Sequence, residues 1–525
     1  MRRRGDRLRL TRPALLGAIT GVALVLAAPP HGLYPLVLVA FVPLLRAVDG
    51  RHGAARAALA GWIAGVVMYL GVFRWLPHAI AALQSVDAAA AWALFALFAA
   101  LHALQFALAA GVAVIFTART PLGGSAMATA AAWVLLEWSF PKVFPWSIGA
   151  ALGPDPLLRQ TAALGGVYGM ALLVMAVNAL LAVGTRLDYP PGPRLFATGL
   201  AVGMLILALL FGVWRQRWLA RTHTGPVIRI AVVQGAIAPT VGGPRADPAR
   251  DLVTYRSLSR AAAPAADLLV WPENALAVYL RDNGDFAFEL AALVEDVQRP
   301  LLLGALDRSG SALGELNAAY LFLPSARARP AAVYHKTALL PFGEYVPGAA
   351  WWPGLRRYWR TTGDFLPGAQ PTPLPISIGA ATLWVAPSIC FEAIRPAAFN
   401  DLVRRGAALL VNLTDDSWFA SPAAAAQHLE LARLRAVETG RWLARASNSG
   451  ISAFVDPSGR VVGALPFGVR GTLWQTVETG GAPTPYVRHG DWILLLCAGL
   501  VGQPLVQAFA VTRGRRAAAP PALRR

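Results

Sequence analysis

Apolar and polar positions divide this chain into two kinds of sequence. Up to about residue 215 it is a series of apolar stretches, each close to the roughly 20 residues that a helix needs to cross a bilayer. We predict membrane-spanning helices over about 13–29, 34–49, 55–74, 88–117, 124–140, 163–184, 196–214 and, near the C-terminus, 491–511. The fourth stretch is overlong, which predicts that it is tilted or lies partly outside the bilayer.

A block of mixed polarity lies between the seventh and eighth stretches, over about 225–484. Helical periodicity, as over 427–445, separates short apolar runs that are bounded by Gly, Pro and Asp. These runs predict strands buried on both faces, at 227–234, 267–271, 301–304 and 407–412. Strands that alternate with helices predict a layered α/β domain.

The two textures predict three parts of the chain. Residues 1–216 form a membrane domain of seven transmembrane helices, residues 217–484 form the α/β domain, and residues 485–525 form the last transmembrane helix and a basic tail. Because an odd number of spans precedes the α/β domain, we expect this domain on the side of the membrane opposite both termini.

The composition supports a membrane protein with a large water-facing part. Hydrophobic residues make up 56% of the chain, charged residues make up 14%, and the mean hydropathy is +0.50. The formal net charge is +19, and the basic residues lie at the chain ends and in loops beside apolar spans. This distribution favours contact with anionic lipid head groups, so we expect the bilayer as a partner and no nucleic acid.

The distribution of basic residues predicts the orientation. Arginines crowd both chain ends and the loops after the second and sixth stretches: Arg2, Arg3, Arg4, Arg7, Arg9, Arg12, Arg46, Arg51, Arg56, Arg186, Arg194, Arg513, Arg515, Arg516, Arg524 and Arg525. The alternate loops hold only Arg74, Lys142 and Arg159. Since positive charge is retained on the cytoplasmic side, both termini are predicted to be cytoplasmic and the α/β domain to face a periplasm or its equivalent.

Three residues of the α/β block carry candidate chemistry. Lysine occurs only at Lys142 and Lys336, so Lys336 is a candidate for a role that needs a compact ammonium. Glu273 ends a predicted strand in a Pro-fixed turn, and Cys390 follows an apolar run. Each alone has a plain interpretation: Lys336 as a chance survival in an arginine-rich chain, Glu273 as a surface carboxylate and Cys390 as a small buried hydrophobe. Together they supply a thiol, an ammonium that favours its thiolate and a carboxylate that accepts its proton.

The other candidate ligands indicate neither a disulfide nor a metal site. Cys497 lies in the last apolar stretch, so Cys390 is expected to be a free thiol. His428 has no partners at metal-ligand spacing and is expected to satisfy local hydrogen bonds. We therefore expect no metal and no cofactor.

The motifs around these residues occur in a specific order. "WPE" at 271–273, "YHKTALLPFGEYVP" at 334–347, "CFE" at 390–392 and "NLTDDSWFA" at 412–420 resemble the nitrilase superfamily of carbon–nitrogen hydrolases and acyltransferases. Because these motifs occur together with a multi-span N-terminal half and one C-terminal span, the chain resembles the apolipoprotein N-acyltransferase family. Any single motif is weak, whereas "PFGEYVP" joined to a lysine between "WPE" and "CFE" is highly specific.

This resemblance implies an αββα sandwich and roles for the motif residues. It makes Glu273 the general base, Cys390 the nucleophile and Lys336 the cation that stabilises the oxyanion. Glu344 and Glu392 match carboxylates that orient these three. Supporting or substrate-binding roles are expected for Phe391, Asn412, Ser417 and Trp418.

The resemblance also implies a monomeric membrane acyltransferase of the bacterial cytoplasmic (inner) membrane. Cys390 would take an acyl chain from a phospholipid as a thioester, and the N-terminal amine of a diacylglyceryl-cysteine lipoprotein would then receive the chain in a ping-pong reaction. A membrane-tethered amidase or hydrolase that uses water as acceptor would need the same residues. A transporter or scaffold with an inactive outer domain would not need all three.

Some segments depart from the family or add to it. Phe391 stands where many members have Tyr, and the stretch after Gly235, "AIAPTVGGPRADPARD", lacks a Trp that some members carry. Residues 348–360 mix aromatic side chains with arginines and predict either an ordinary loop or a membrane-contacting lid. Trp418 and Phe419 are candidates to line the same entrance.

Overall fold

The structure, a computed structural model, describes residues 2–29, 31–48, 53–119, 122–222, 225–238, 247–308, 314–324, 329–379 and 381–503. Two segments with sequence predictions lie only partly within these residues. The stretch that lacks the Trp is described only up to residue 238 and from residue 247, and the last predicted span is described only up to residue 503. The arginines of the basic tail also lie beyond it.

The N-terminal part is a bundle of helices. Their bounds are α1 Arg2–Ala27, α2 Val42–Ala47, α3 Ala54–Val72, α4 Leu76–Gln84, α5 Ala88–His102, α6 Leu104–Arg119, α7 Leu122–Ser139, α8 Ala162–Gly184 and α9 Pro191–Arg221. Within the described residues, four stretches are helical, long and apolar enough to cross a membrane: Ala54–Val72, Ala88–Phe116, Leu158–Gly184 and Pro191–Arg221. Shorter apolar helices cover Arg12–Ala27, Tyr34–Ala47 and Trp492–Gln503. A multi-helix membrane part is therefore present, but the number of eight spans is not confirmed.

The second predicted span, 34–49, is wrong as one continuous helix. It consists of a 3-10 turn, Tyr34–Leu38, followed by the short helix α2, and the second residue of each is a proline, Pro35 and Pro43. Pro43 lacks the N–H that would bond to the carbonyl of Val39 in a continuous helix, so the apolar stretch breaks before it. The side chain of Asn178 on α8 fills the gap: it accepts from the Phe41 N–H at 2.8 Å and donates to the Val37 carbonyl at 2.8 Å. Irregular backbone is tolerated at membrane depth when protein groups satisfy it in this way.

The α/β part contains two sheets. Its strands are β1 Val227–Gln234, β2 Leu268–Val270, β3 Leu276–Tyr279, β4 Leu301–Arg308, β5 Glu315–Phe322, β6 Ala332–His335, β7 Leu374–Ile378, β8 Ala381–Ile389, β9 Leu409–Thr414, β10 Leu443–Ser447, β11 Ser452–Val455, β12 Val461–Leu465 and β13 Gly471–Glu478. One sheet has the order β13-β1-β2-β4-β5-β6, with β3 paired to β4, and the other has the order β12-β11-β10-β9-β8-β7. β2 runs parallel to β1 and β4, and β9 runs parallel to β8 and β10.

Helices cover the outer faces of both sheets. They are α10 Pro248–Ala262, α11 Gly284–Val297, α12 Pro396–Arg404, α13 Pro422–Thr439 and α14 Pro485–His489. Ile230 and Val232 of β1 pack between the sheets, whereas Ala231 and Val233 of the same strand pack against α10 and α11. The two cores produce a four-layer αββα sandwich, and they explain why the apolar runs do not alternate with polar residues.

The boundaries of one predicted helix need correction. The helical pattern over 427–445 continues too far, because α13 ends at Thr439 and β10 begins at Leu443. Gly440 follows α13 with a φ of 68°, the left-handed conformation that commonly ends a helix. The apolar run after it is therefore free to pair as a strand.

Side chains of α13 fasten the α/β domain to the membrane domain. The Gln427 amide donates to the carbonyls of Pro29 (3.1 Å) and Val72 (3.0 Å) and accepts from the indole N–H of Trp75 (3.0 Å). Glu438, fully buried at the other end of α13, accepts from the Val167 N–H at 3.0 Å. That N–H is available because α8 is broken at Gly165 and Gly166.

The break in α8 depends on Gly166. This residue has φ 63° and ψ −165°, a conformation essentially restricted to glycine, and an added Cβ would lie 2.5 Å from the Tyr486 ring. We predict that Gly166→Ala lowers the thermal midpoint of the detergent-solubilised protein, with a backbone penalty alone of about 1–3 kcal/mol. The matched control is Gly203→Ala in α9, where no atom lies within 4 Å of an added Cβ. Equal midpoints for the two variants would contradict a tight joint at Gly166.

Candidate active site

Glu273 follows β2 on a short turn between the two sheets. The preceding residues Trp271 and Pro272 are buried, and the Gly304 N–H of β4 donates to the Pro272 carbonyl at 3.1 Å. A Cβ on Gly304 would lie 2.6 Å from the Glu273 Cα, so only glycine lets β4 pass this close to the turn. The carboxylate is thereby held at a strand end, as the sequence predicts.

Lys336 directly follows β6 and is 1% exposed. Its ammonium donates to Glu344 Oε1 at 2.8 Å and lies 3.4 Å from Glu273 Oε1. Asn317 of β5 links the same two carboxylates, because its amide donates to Glu273 at 2.7 Å and to Glu344 at 3.2 Å. Burial opposes the charge of Lys336, but the charges of Glu344 and Glu273 raise its pKa above the usual range. The residue is therefore a fixed buried cation.

Cys390 directly follows β8 and is the first residue of a short 3-10 helix, Cys390–Ile394. Its φ of 49° lies in the left-handed region, which is uncommon for a residue with a side chain and typical of functional turns. Burial and the charge of Glu273 raise the pKa of the thiol well above its usual value, although Lys336 acts in the opposite direction. The resting site therefore contains a thiol, and attack requires a base to remove its proton.

Glu273 lines the same cavity as Cys390. Its carboxylate faces donors on both oxygens, since the Asp415 N–H donates to Oε2 at 2.9 Å while Lys336 and Asn317 contact Oε1. Beside it, burial raises the pKa of the Asp415 carboxyl to about 7, and Glu273 adds to the effect. Asp415 belongs to the quoted "NLTDDSWFA" motif but was not singled out from the sequence.

Glu392 connects the lysine loop to the cysteine turn. Its Oε1 accepts from the Tyr334 hydroxyl (2.8 Å), from the N–H and hydroxyl of Thr337 (2.7 and 2.8 Å) and from the Ala338 N–H (3.2 Å). Its Oε2 accepts from the Ile389 N–H at 2.7 Å. The fully buried carboxylate contacts the chain on both sides of the site, which is the orienting position expected for it. Glu344 similarly accepts from the Leu340 N–H at 2.7 Å.

The structure distributes the other predicted residues among different positions. Asn412 lies beneath the site, where its amide donates to the Ser388 hydroxyl at 3.1 Å and its oxygen accepts from Arg445. Phe391 is buried and lines an apolar cavity, and Trp418, 37% exposed, lines a polar one. Ser417 is buried, and its hydroxyl has no hydrogen-bond partner in the described structure. Asn412 therefore has a supporting position, and Phe391 and Trp418 face space that a substrate can enter.

His428 contacts the backbone of Cys390 from α13, a contact that the sequence did not predict. Its Nε2 lies 3.2 Å from the Cys390 carbonyl oxygen, and its Nδ1 lies 2.8 Å from Asp416 Oδ1. Asp416 also accepts from Arg445 at 2.7 Å. Although burial opposes it, the charges of Arg445 and His428 lower the pKa of Asp416. This network holds the strained cysteine turn from below, and the local hydrogen bonds expected for His428 are present.

Two cavities meet at Cys390. The first, the polar cavity, has a volume of about 560 Å³ and contains Glu273, Lys336 and Asp415 in its lining. The second, the apolar cavity, lies between the two domains and is lined by side chains of both, including Phe73, Trp75, Phe144, Phe391 and Phe419. Leu340, Cys390 and Phe419 line both cavities. Cys390 therefore lies between a cavity with charged side chains and an apolar cavity.

The aromatic loop over 348–360 is largely exposed. Trp351 is 92% exposed and Trp352 is 62% exposed, whereas Trp359 packs on Phe342 with ring centroids 5.3 Å apart. The Thr361 hydroxyl donates to the Leu83 carbonyl of α4 at 2.7 Å, which anchors the loop to the membrane domain. Two of the three tryptophans are thus free to contact lipid, and the third is an internal anchor.

Comparison with known proteins gives a consistent result. The apolipoprotein N-acyltransferase N-terminal domain model matches residues 20–180, and the carbon-nitrogen hydrolase model matches residues 229–482. Apolipoprotein N-acyltransferases from Geobacter metallireducens, Gloeobacter violaceus and Azotobacter vinelandii are 30%, 34% and 32% identical to this chain. The alignments cover 96%, 94% and 98% of this chain and 96%, 94% and 99% of those proteins.

Solved amidase structures from Nesterenkonia sp. AN1 match about half of the chain. One, with the acetamide moiety of fluoroacetamide on its active-site cysteine, has 22% identity and a TM-score of 0.38, covering 52% of this chain and 98% of the amidase. Another, with acrylamide added at that cysteine, has 22% identity and a TM-score of 0.36, covering 51% and 98%.

The charge of Glu273 should control the ionisation of Cys390. Since that charge raises the pKa of the thiol and Lys336 lowers it, Glu273→Gln should shift the pH midpoint of Cys390 alkylation to lower pH. The rate is measured by mass spectrometry with iodoacetamide, in a Cys497→Ser background that leaves one thiol. Glu289→Gln, which changes a half-buried ion pair with Arg256 outside the cavity, is the control and should not move the midpoint. An unchanged or higher midpoint for Glu273→Gln would refute the electrostatic coupling.

Proposed function

The chain belongs to the apolipoprotein N-acyltransferase family, and on that premise we propose that it transfers a fatty acyl chain from a phospholipid to the N-terminal amine of diacylglyceryl-cysteine lipoproteins. The position of Cys390 between the polar and the apolar cavity carries this proposal. A lipid ester has a long apolar chain joined to a polar reacting carbonyl, and only a sulfur at the junction of two such compartments reaches that carbonyl while the chain stays out of water.

The first half-reaction forms a thioester. Glu273 removes the proton of the Cys390 thiol, and the sulfur attacks the ester carbonyl of the phospholipid. The Lys336 ammonium stabilises the negative oxygen of the tetrahedral intermediate, since a preorganised buried cation interacts strongly with developing charge. When the ester C–O bond breaks, the leaving alcohol takes the proton back from Glu273, and a lysophospholipid departs.

The second half-reaction uses the same groups with the amine as acceptor. The N-terminal amine attacks the thioester carbonyl, Glu273 takes a proton from the nitrogen, and the C–S bond breaks. The sulfur leaves and recovers a proton from Glu273, so the thiol is restored and the product is an amide. One base and one nucleophile therefore serve both lipid substrates in a ping-pong sequence.

The arrangement in the membrane follows from the same proposal. Residues 1–216 and 485–525 hold the α/β domain, 217–484, at the outer face of the cytoplasmic membrane, with both termini in the cytoplasm. The protein acts as a monomer, since one chain supplies the whole triad. Trp351 and Trp352 rest at the bilayer surface, where aromatic side chains are favoured, and Trp418 lines the entrance to the polar cavity.

Detection of a stable acyl-enzyme tests the proposed acyl transfer most directly. With phospholipid alone, the purified protein should gain the mass of one acyl chain on Cys390, and a peptide with a free N-terminal diacylglyceryl-cysteine should discharge it. Cys390→Ser should show no adduct, whereas Cys497→Ser, a change in the last apolar helix, should behave like the parent. If the adduct forms but water discharges it as fast as the peptide does, the chain is a membrane-tethered hydrolase. If no adduct forms, Cys390 is not the nucleophile.

Reporter fusions test the orientation. Alkaline phosphatase, which is active only outside the cytoplasm, should be active when fused after Gly481, in the loop that follows β13. The same reporter fused after Arg525 should be inactive, and a cytoplasmic reporter at that position should be active. The reverse pattern would place the α/β domain in the cytoplasm and exclude a reaction in the outer leaflet.

A further inference from the structure

A large cavity lies at the junction of the two domains, apart from the reactive site. Its volume is about 960 Å³, which falls within the range of small-molecule sites, about 300–1,000 Å³. The last turns of α9, the start of the α8 region and the loops after β11 and β13 line it. None of its lining residues lines the polar or the apolar cavity that meet at Cys390. We call it the arginine cavity, after Arg159, Arg215, Arg460 and Arg488.

Two buried cations lie in its wall. Arg159 is 6% exposed and Arg215 is 3% exposed, and neither forms an ion pair within the described residues. Their hydrogen bonds go to neutral groups: Arg159 Nε donates to the Ser458 carbonyl at 2.8 Å, and Arg215 donates to the Val437 carbonyl at 3.0 Å and to the side chain of Gln160. Buried charges are normally paired, so this wall favours an anion in the space beside it.

The carboxylates offset this charge only in part. Asp456 acts electrostatically on both Arg159 and Arg215 but forms its ion pair with Arg460, and Glu430 and Asp155 act on Arg159 from outside the lining. The Asp456 carboxylate accepts hydrogen bonds from the Ser458 N–H at 2.9 Å and from Arg460 Nε at 3.1 Å. Glu478 is the other acidic residue in the lining. Arg488 lies exposed at the end of α14, and no ion pair involves it in the part of the chain that the structure describes. Four arginines against two acids leave an excess of two positive charges.

The membrane side of the cavity is apolar. Helix α9 leads into it and exposes Leu207 (68%), Leu210 (60%), Trp214 (59%) and Trp218 (37%). Trp214, Trp218 and Trp442 line the cavity itself, and tryptophan is enriched where hydrocarbon meets water. Because α9 ends at Arg221 and β1 follows at Val227, this place lies at the bilayer surface on the side of the α/β domain.

We propose that the arginine cavity binds one anionic glycerophospholipid that is not a substrate. Its phosphate and head group contact the arginines, and its acyl chains lie along the exposed face of α9. Basic pockets beside membrane helices bind anionic head groups in this manner. A zwitterionic lipid would leave the excess positive charge uncompensated, so phosphatidylglycerol is preferred over phosphatidylcholine. The lipid would join α9 to the loops of the α/β domain and stabilise their contact.

The test uses the full chain with Cys390→Ala, in which no acyl transfer occurs, so the result does not depend on the proposed reaction. Native mass spectrometry counts the lipid retained from mixed micelles with phosphatidylglycerol or phosphatidylcholine, and thermal unfolding is followed in the same samples. We expect one phosphatidylglycerol per chain and a higher thermal midpoint than with phosphatidylcholine. Arg460→Gln with Arg488→Gln should weaken retention roughly tenfold or more, since each arginine contributes about fivefold.

The control is Arg250→Gln, an exposed arginine on α10 outside the cavity, which should retain the lipid like the parent. Equal retention of the two lipids, or normal retention by the double variant, would overturn the proposal. An equal gain in thermal midpoint from inorganic phosphate alone would show that the cavity takes a free anion and not a lipid. The double variant also distinguishes phosphatidylglycerol in the arginine cavity from phosphatidylglycerol bound as an acyl donor at Cys390, because it leaves the site at Cys390 intact.

Discussion

Lys336 places a full positive charge inside the α/β domain, where an isolated ammonium would be strongly unfavourable. Glu344 and Glu273 offset that cost, and Asn317 fixes the distance between them. The other parts of the site depend on this arrangement. Burial raises the pKa of the neighbouring Cys390 thiol, and the charge of Glu273 adds to the effect. A neutral residue in place of the lysine would leave two buried carboxylates facing each other.

The strand order explains why these groups meet. Glu273 follows β2, Lys336 follows β6, and Cys390 follows β8 of the opposite sheet, so the site forms where two sheets of one sandwich end together. Glu392 makes that meeting rigid, because its two oxygens bind the lysine loop and the Ile389 N–H before the cysteine. The φ of 49° at Cys390 persists because Glu392 on one side and His428 on the other determine the turn.

Sequence reasoning singled out Glu273, Lys336 and Cys390, which the structure brings to one cavity, and it predicted four of the thirteen described strands. Each of these has a local signal: a Pro-fixed turn, a rare lysine, a buried apolar run. It failed where long-range contacts decide. The apolar stretch at 34–49 has the composition of a span, but Pro43 breaks it and Asn178, far along the chain, satisfies the exposed backbone. Asn317 lies in an ordinary strand and His428 in an ordinary helix, so their contacts with Glu273 and Cys390 follow only from the folded topology.

The joint between the domains has to satisfy polar groups at the edge of a bilayer, and α13 does so with side chains of two kinds. Gln427 binds the carbonyls of Pro29 and Val72 near the reactive site, and Glu438 binds the Val167 N–H at the far end of the helix. His428 lies one residue after Gln427 and contacts the Cys390 carbonyl. The same turn of helix therefore touches the membrane domain and the backbone of Cys390, and it links the position of the membrane helices to that of the cysteine turn.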